Sequence, residues 1–392
     1  MDELACWLML HRCPGLGSRG LAALVARFGS ACAVLEAARH APAGLGLTAE
    51  SLEHLRQESD PGVEADLAWA AEPGRHLLPV SDPRYPELLR RTADPPQVLY
   101  VLGDPEVLGL PQVAVVGSRN PTPGGAEIAR ELARDLAAAG LVVTSGLALG
   151  VDGAAHQGAL AARGLTVAVA GTGLDRVYPA AHRELAHRIA AEGALVSEFP
   201  VGTPPLPEHF PRRNRIIAGL ALGTLVVEAA LRSGSLITAR LAGEEGREVF
   251  AVPGSVRNPL ARGCHVLLRE GATLVESAAD VLQALGGLLA HVPRDGAGEA
   301  AAAGSGAAGA GSAAGLGPGA TRAGGAAEPL DPDHRRVLES LGFDPVGVDT
   351  VVERSGLTAE AVSSILLLLE LRGLVEAHGG GRYAATARPA PE

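Results

Sequence analysis

The chain has 392 residues, room for two or three domains and a large buried core, and a formal charge of −11, so any nucleic-acid site is expected as a local patch on an acidic body. Hydrophobic residues make up 47% but aromatic residues only 3%, which leaves Ala, Val and Leu to build the core. All 33 basic residues are arginine, which excludes a Walker A loop, a Schiff base and a pyridoxal-phosphate lysine.

Residues 1–72 read as short helices separated by turn signals. Cys13-Pro14-Gly15-Leu16-Gly17-Ser18-Arg19-Gly20 lies between two apolar helical patterns, and Pro42-Ala43-Gly44-Leu45-Gly46 echoes it more weakly. Such a hairpin either turns the chain, the reading favoured here, or offers backbone N–H groups to a phosphate. The segment resembles helix-hairpin-helix and SAM-like modules. Cys6, Cys13, Cys32 and Cys264 show no CxxC spacing, so scattered buried thiols are expected rather than a metal site or a disulfide. Met1-Asp2-Glu3 is acidic and His11-Arg12 breaks the first apolar run. No signal peptide, no membrane span and a soluble cytoplasmic protein are therefore expected.

From His76 the period changes. Strand-like runs at 76–80, 97–101, 112–116, 141–144, 166–170, 194–196, 224–227, 248–252 and 272–275 are mostly separated by segments with helical spacing of Ala, Leu and Ile. Near-continuous apolar strands alternating with amphipathic helices predict an α/β fold, a Rossmann-like doubly wound and mostly parallel sheet over 73–288. Ligands in such folds bind outside the carboxyl ends of the strands. Residues 289–327 are dominated by Ala, Gly and Ser and read as a flexible linker. Three helical segments follow, then strands at 374–377 and 382–384 around Gly379-Gly380-Gly381, the pattern of a winged helix over 328–387.

The turns after the strands carry the candidate chemistry. Gly117-Ser118-Arg119-Asn120 follows the first parallel strand and is not GxGxxG, while the second strand ends in Thr144-Ser145 without an acidic residue, so no nicotinamide or flavin cofactor is expected. A glycine turn, a hydroxyl and a guanidinium at a sheet edge suit phosphate, with Arg119 as a bidentate fork or, alternatively, paired to an internal carboxylate. In the next turn Asp152 reads as a helix N-cap and His156 as a core or surface histidine rather than a general base. The glycines of Gly171-Thr172-Gly173, shortly before Tyr178-Pro179, allow either close ligand approach or tight packing.

The stretch 204–242 reads as the centre of the protein. Phe210, Arg212, Arg213, Asn214 and Arg215 stand at an expected helix start, where three like charges cost stability unless an anion takes them. The reading requires these guanidinium groups to gather above one rim of the sheet without being neutralised by neighbouring acids. After the strand 224–227, Ser233, Gly234 and Ser235 form a phosphate nest at a second helix start. Glu228 is expected to hold an arginine, with a catalytic acid as the alternative. No GxSxG elbow occurs, and His182 and His187 are not spaced as metal ligands, so neither a catalytic residue nor a metal is expected.

The motifs GSRNPTPGG, TSGLALGVDGAAHQGAL, GTGLDRVYP, SEFP, FPRRNRIIAGL, VVEAALRSGSLITARLAGEEGREVFAVPG and LLREGA occur in that order. Together they resemble the bacterial DNA-processing protein A family, also called Smf. The resemblance implies a Rossmann-like domain that binds single-stranded DNA, forms a homodimer, and helps load the RecA recombinase on incoming strands during natural transformation. The family's Gly-Ser-Arg element falls on Gly117, Ser118 and Arg119, and its Arg-Asn-Arg element on Arg213, Asn214 and Arg215. Departures are Leu149 where a basic residue is common, Gly263-Cys264-His265 in place of Gly-Thr-Asn, and His182 in place of an asparagine. Loss of charge at Leu149 bears on the strength of a DNA groove.

Two other readings stand beside this one. A nucleotide phosphoribohydrolase-like enzyme would bind a monophosphate at Arg119 and use Glu228 in glycosidic cleavage. A transcription regulator would read duplex DNA with its winged helix, but the third helix, 358–372, carries only Arg372 as a positive charge, which favours protein contact.

Overall fold

The structure, a computed structural model, describes residues 2–40, 44–289 and 330–386. Five short helices come first: α1 (Glu3–His11), α2 (Ser18–Phe28), α3 (Ala31–His40), α4 (Ala49–Arg56) and α5 (Pro61–Ala70). The carboxylate of Asp2 caps α1, the hydroxyl of Thr48 caps α4, and Asp60 caps α5 with Pro61 at its first turn. Cys6 of α1 and Cys32 of α3 form a disulfide, with Cα atoms 5.1 Å apart. This corrects the expectation of four thiols. Packing of α1 on α3 joins cysteines 26 positions apart, which no local spacing rule detects, while Cys13 and Cys264 are free and buried as expected.

These helices share one apolar core with the neighbouring sheet, in which Trp7, Leu10, Leu35 and Trp69 meet Tyr100, Ala168, Leu174 and Ile189. Polar ties reinforce that contact. Asp66, fully buried, accepts from Arg12 Nε at 2.6 Å, from the Tyr100 hydroxyl at 2.8 Å and from the Val201 N–H at 3.1 Å. A buried carboxylate with this many donors is compensated rather than stranded.

Nine strands form the large sheet: β1 (Arg75–Pro79), β2 (Val98–Gly103), β3 (Gln112–Gly117), β4 (Val142–Ser145), β5 (Thr166–Val169), β6 (Ala194–Ser197), β7 (Gly223–Val227), β8 (Glu248–Ala251) and β9 (Thr273–Leu274). Their order is β1-β2-β6-β5-β4-β3-β7-β8-β9. The β1–β2 and β2–β6 pairs are antiparallel and the remaining pairs parallel. All nine correspond to the apolar runs read from the sequence.

Helices α6 (Glu87–Arg90), α7 (Pro123–Ala138), α8 (Val151–Ala161), α9 (Arg183–Glu192), α10 (His209–Leu220), α11 (Ser235–Glu244), α12 (Arg262–Arg269) and α13 (Ala278–Leu289) accompany the sheet. The two-residue period of β3 sends Val113 and Val115 to the core with α7, α8 and α13. Ala114 and Val116 face the opposite core with α10, α11 and α12. After β3 the chain builds outward through β4, β5 and β6, then returns to place β7 on the other side of β3. That reversal opens a crevice at the carboxyl ends of β3 and β7.

The C-terminal unit comprises α14 (Pro332–Leu341), β10 (Val346–Gly347), α15 (Val348–Ser355), α16 (Ala359–Leu371), β11 (Val375–His378) and β12 (Arg382–Ala385). Val337, Leu341, Val351, Ile365 and Leu369 form its core, and the three short strands complete a winged helix. The expected linker, 289–327, lies from residue 290 outside the described residues. Among the described residues no single helix is long and apolar enough to cross a membrane.

Candidate nucleic-acid interface

The crevice at the β3/β7 reversal contains a cavity of about 320 Å³. Gly117, Arg119, Phe210, Arg213, Asn214, Ser233, Gly234 and Ser235 all line it, so residues spread over more than a hundred positions converge on one rim. Ser118, Arg212 and Arg215, expected there as well, are not among its lining residues. The Ser118 hydroxyl accepts from the Asn120 N–H at 3.1 Å and its carbonyl accepts from the Val151 N–H at 3.1 Å, which fixes the loop that presents Arg119.

Two helices start at this rim. Neither Glu208, ahead of α10, nor Gly234, ahead of α11, supplies a side-chain cap, and both starts bring positive dipole ends to the cavity, while the first N–H groups of α11, those of Ser235, Leu236 and Ile237, are engaged by the Ser233 hydroxyl, the Ser233 carbonyl and the Gly234 carbonyl. The Ser233 and Ser235 hydroxyls lie 2.7 Å apart. Gly234 has ordinary helical dihedrals, and a Cβ built on it would meet nothing within 4 Å, so neither backbone nor packing demands glycine there. The position is simply open. Gly117 is different, because a Cβ there would collide with the Val227 carbonyl where β3 and β7 approach.

Arg119 is exposed and pairs with no carboxylate among the described residues; its guanidinium lies 5.6 Å from the centre of the Phe210 ring. Arg213 is buried beneath it, 4% exposed, and donates to the carbonyls of Gly146 and Val169. Burial lowers this guanidinium to about 10, against the pull of the Asp152 carboxylate and with a further push from Arg119. It therefore remains a cation at neutral pH, a fixed charge in the cavity floor.

The expectation of three arginines awaiting an outside anion is corrected here. Glu198, 1% exposed at the end of β6, pairs with Arg215 and, at 3.1 Å, with Arg212 Nε, while Asp94 lies 3.3 Å from Arg215 Nε. The chain supplies its own carboxylates, from elements that adjoin α10 only in the folded sheet. Asp94 also takes a hydrogen bond from the Ser18 hydroxyl at 2.6 Å, so an internal acid meets the start of α2. That agrees with the turning role favoured for the glycine hairpin.

Two further expectations change. Glu228 holds no arginine among the described residues: it accepts from the Thr122 N–H and hydroxyl, both at 2.7 Å, and from Asn258 Nδ2 at 2.8 Å. Its φ of 51° is left-handed, a conformation costing a non-glycine residue roughly 1–2 kcal/mol, and the three bonds that hold it tie together the loops after β3, β7 and β8. Glu228 does not line the cavity. Asp152 is not an N-cap, because Gly150, with φ 83°, takes that position. Asp152 instead sits buried in the first turn of α8, accepts from the Ala148 N–H at 3.2 Å, and lines the cavity. Burial raises its carboxyl against the pull of Arg213.

His156 is a core residue, fully buried. Thr166 donates its hydroxyl hydrogen to the Val143 carbonyl at 2.6 Å, so the 2.7 Å contact makes His156 Nδ1 the donor to Thr166, and Nε2 is left bare. Burial lowers its pKa to about 3. Sequence reasoning missed Glu198 and Tyr178 as members of this region. Tyr178 is half exposed, and its ring centre lies 5.5 Å from that of Phe210; its place after the third glycine turn was the available signal.

With this geometry in view, the likeness to known proteins has structural meaning. The sequence pattern of DNA recombination-mediator protein A matches residues 76–286, more than half of the 392, and that of the DprA winged helix domain matches 321–381. The chain is 42% identical over 271 residues to protein Smf of Escherichia coli strain K12, a match spanning 69% of this chain and 67% of that protein. It is 51% identical over 177 residues to DNA processing protein DprA of Streptococcus pneumoniae, spanning 45% and 62% respectively. The X-ray structure of DNA processing protein A from Streptococcus pneumoniae superposes with a TM-score of 0.64 at 36% identity, covering 72% of this chain and 98% of that one. Sequence pattern, identity and superposition agree, and the chain belongs to the DNA recombination-mediator protein A family.

Proposed function

We propose that this chain binds single-stranded DNA in the β3/β7 crevice and, as a homodimer through its Rossmann-like domain, loads the RecA recombinase on incoming strands during natural transformation. The observation that carries the binding site is an exposed arginine that pairs with no carboxylate among the described residues, Arg119, on the same cavity as the helix start at Ser233, Gly234 and Ser235. A phosphate fits between a guanidinium fork and such a nest, and Arg213 contributes charge from below. Asn214, which donates to the Gly234 carbonyl at 3.3 Å, positions that turn. Phe210 brings an aromatic surface to the same mouth.

In this reading residues 73–288 hold the strand, 1–72 buttress it, and the winged helix of 328–387 faces a protein partner. Arg212 and Arg215 serve the DNA only if a phosphate displaces Glu198. The enzymatic alternative requires Glu228 to face the cavity, and its three internal donors weigh against it. Titration of labelled single- and double-stranded oligonucleotides with wild type and Arg119→Ala tests the proposal. A selective loss on single strands supports it, whereas release of free base from nucleoside monophosphates, abolished by Glu228→Gln, overturns it.

A further inference from the structure

Arg119 stands on a short span, 118–122, that is pinned at both ends. At the front, the Ser118 carbonyl accepts from the Val151 N–H at 3.1 Å, and a Cβ built on Gly150 would collide with the carbonyl oxygens of Ser118 and Arg119, so the start of α8 fits tightly against this turn. At the back, the buried Thr122 gives its N–H to one carboxylate oxygen of Glu228 and its hydroxyl hydrogen to the other, both at 2.7 Å. The same hydroxyl oxygen accepts from the Gly125 N–H at 3.0 Å and caps α7.

Glu228 is a costly residue for its place. Its backbone is left-handed, and its charge is the wrong sign to set behind a site for a polyanion. Room is nonetheless kept for it, since a Cβ at Gly125 would collide with its carboxyl group. Its third donor, the buried Asn258, is itself fixed, because its Oδ1 accepts from the Leu260 N–H at 2.9 Å. Strain of this kind persists where the surrounding bonds over-determine it. Glu228 does not line the cavity and meets no arginine among the described residues, so its contacts are those of an anchor. We propose that Glu228 is the positioning residue of the phosphate site: it fixes the far end of 118–122 and so sets where the Arg119 guanidinium stands before a strand arrives.

This inference rests on the single-strand reading and deepens it. A guanidinium held in place beforehand binds with less ordering cost than one on a loop free to shift. The chemistry also requires a carboxylate. Two hydrogens from Thr122 and one from Asn258 need acceptors only, and a glutamine in the same place would turn its NH2 group toward one of those donors.

The test is a double-mutant cycle on a labelled single-stranded oligonucleotide, using wild type, Arg119→Ala, Glu228→Gln and the double variant, each checked for folding by its melting curve. In the wild-type background Glu228→Gln should weaken binding about three- to tenfold and lower the salt slope. In the Arg119→Ala background it should change affinity by less than about twofold, because the residue acts through Arg119. Thr122→Val, which keeps the N–H and loses the hydroxyl, should repeat this pattern, and Thr122→Ser should bind as wild type; this pair carries the test if Glu228→Gln does not fold. The same loss in both backgrounds, or none in either, overturns the positioning role and leaves the DNA reading standing. Wild type that binds no single strand, or Arg119→Ala that binds as tightly as wild type, overturns the DNA site and the inference with it.

Discussion

Arg119 and Arg215 look alike in sequence, each beside an asparagine in a glycine- or arginine-rich motif, but the fold gives them opposite surroundings. Arg119 has no acidic partner among the described residues, so Arg119→Ala removes no internal ion pair and should leave thermal stability unchanged. Its loss should instead cost a charge-assisted phosphate contact, about 1.5–3 kcal/mol or roughly 10- to 150-fold in single-strand affinity. The slope of log affinity against log salt should fall by about 0.7 for each phosphate no longer neutralised. Arg215→Ala leaves Glu198, 1% exposed, with the half-exposed Arg212 as its remaining cationic partner among the described residues, and removes a guanidinium from Asp94. Breaking a buried pair on one side costs on the order of 3–5 kcal/mol, so this variant should melt well below wild type while a folded fraction keeps its salt slope. Fluorescence anisotropy across a salt series, with melting curves on the same samples, separates the two. A reduced slope in Arg215→Ala together with an unchanged slope in Arg119→Ala would refute the assignment.

Three further outcomes follow from other contacts. Gly146→Ala places a methyl group against the Arg213 guanidinium and should displace it from the carbonyls of Gly146 and Val169, lowering both stability and single-strand binding; a crystal structure of the variant with Arg213 unmoved would contradict this. His156 has a folded value of about 3 against the ordinary 6.5, so the native state excludes the proton that the unfolded chain binds. Its contribution is fully present above about pH 6.5 and is lost as pH falls toward 3, at up to about 1.4 kcal/mol per unit. Urea titrations at several pH values should therefore show a steeper acid-side decline in wild type than in His156→Leu, and parallel profiles would count against the buried neutral tautomer. Reduction of the Cys6–Cys32 bond, which closes a span of 26 residues, should lower stability by about 3–4 kcal/mol by loop-closure entropy. Cys32→Ser should melt like the reduced protein, and equal melting of reduced and oxidised wild type would speak against the pairing.

What could be read before folding was whatever depends on neighbours along the chain. The alternating apolar runs announced all nine strands because burial on both faces leaves little room for other residues, as in Val113 to Val116. The glycine turns were legible for the same reason, since Gly117 tolerates no Cβ. The errors concern partners distant in sequence. Glu228 meets Thr122 across 106 positions, and Arg215 meets Glu198 across 17, where the sheet rather than the spacing sets the pairing. Asp152 was misjudged by two positions, because the backbone twist at Gly150 starts α8 without an acidic cap.

The leading helices touch this chemistry through the Ser18 hydroxyl on Asp94 and through one imidazole. His11, at the end of α1, meets the Glu198 carbonyl at 2.9 Å, and the carboxylate of that same Glu198 restrains Arg212 and Arg215. A tilt of α1 would thus shift the acid that keeps two guanidinium groups occupied, and whatever grips the amino-terminal bundle would retune how attractive the groove is to polyanions. The electrical character of the groove is a joint possession of bundle and sheet, and an excised sheet would not reproduce it.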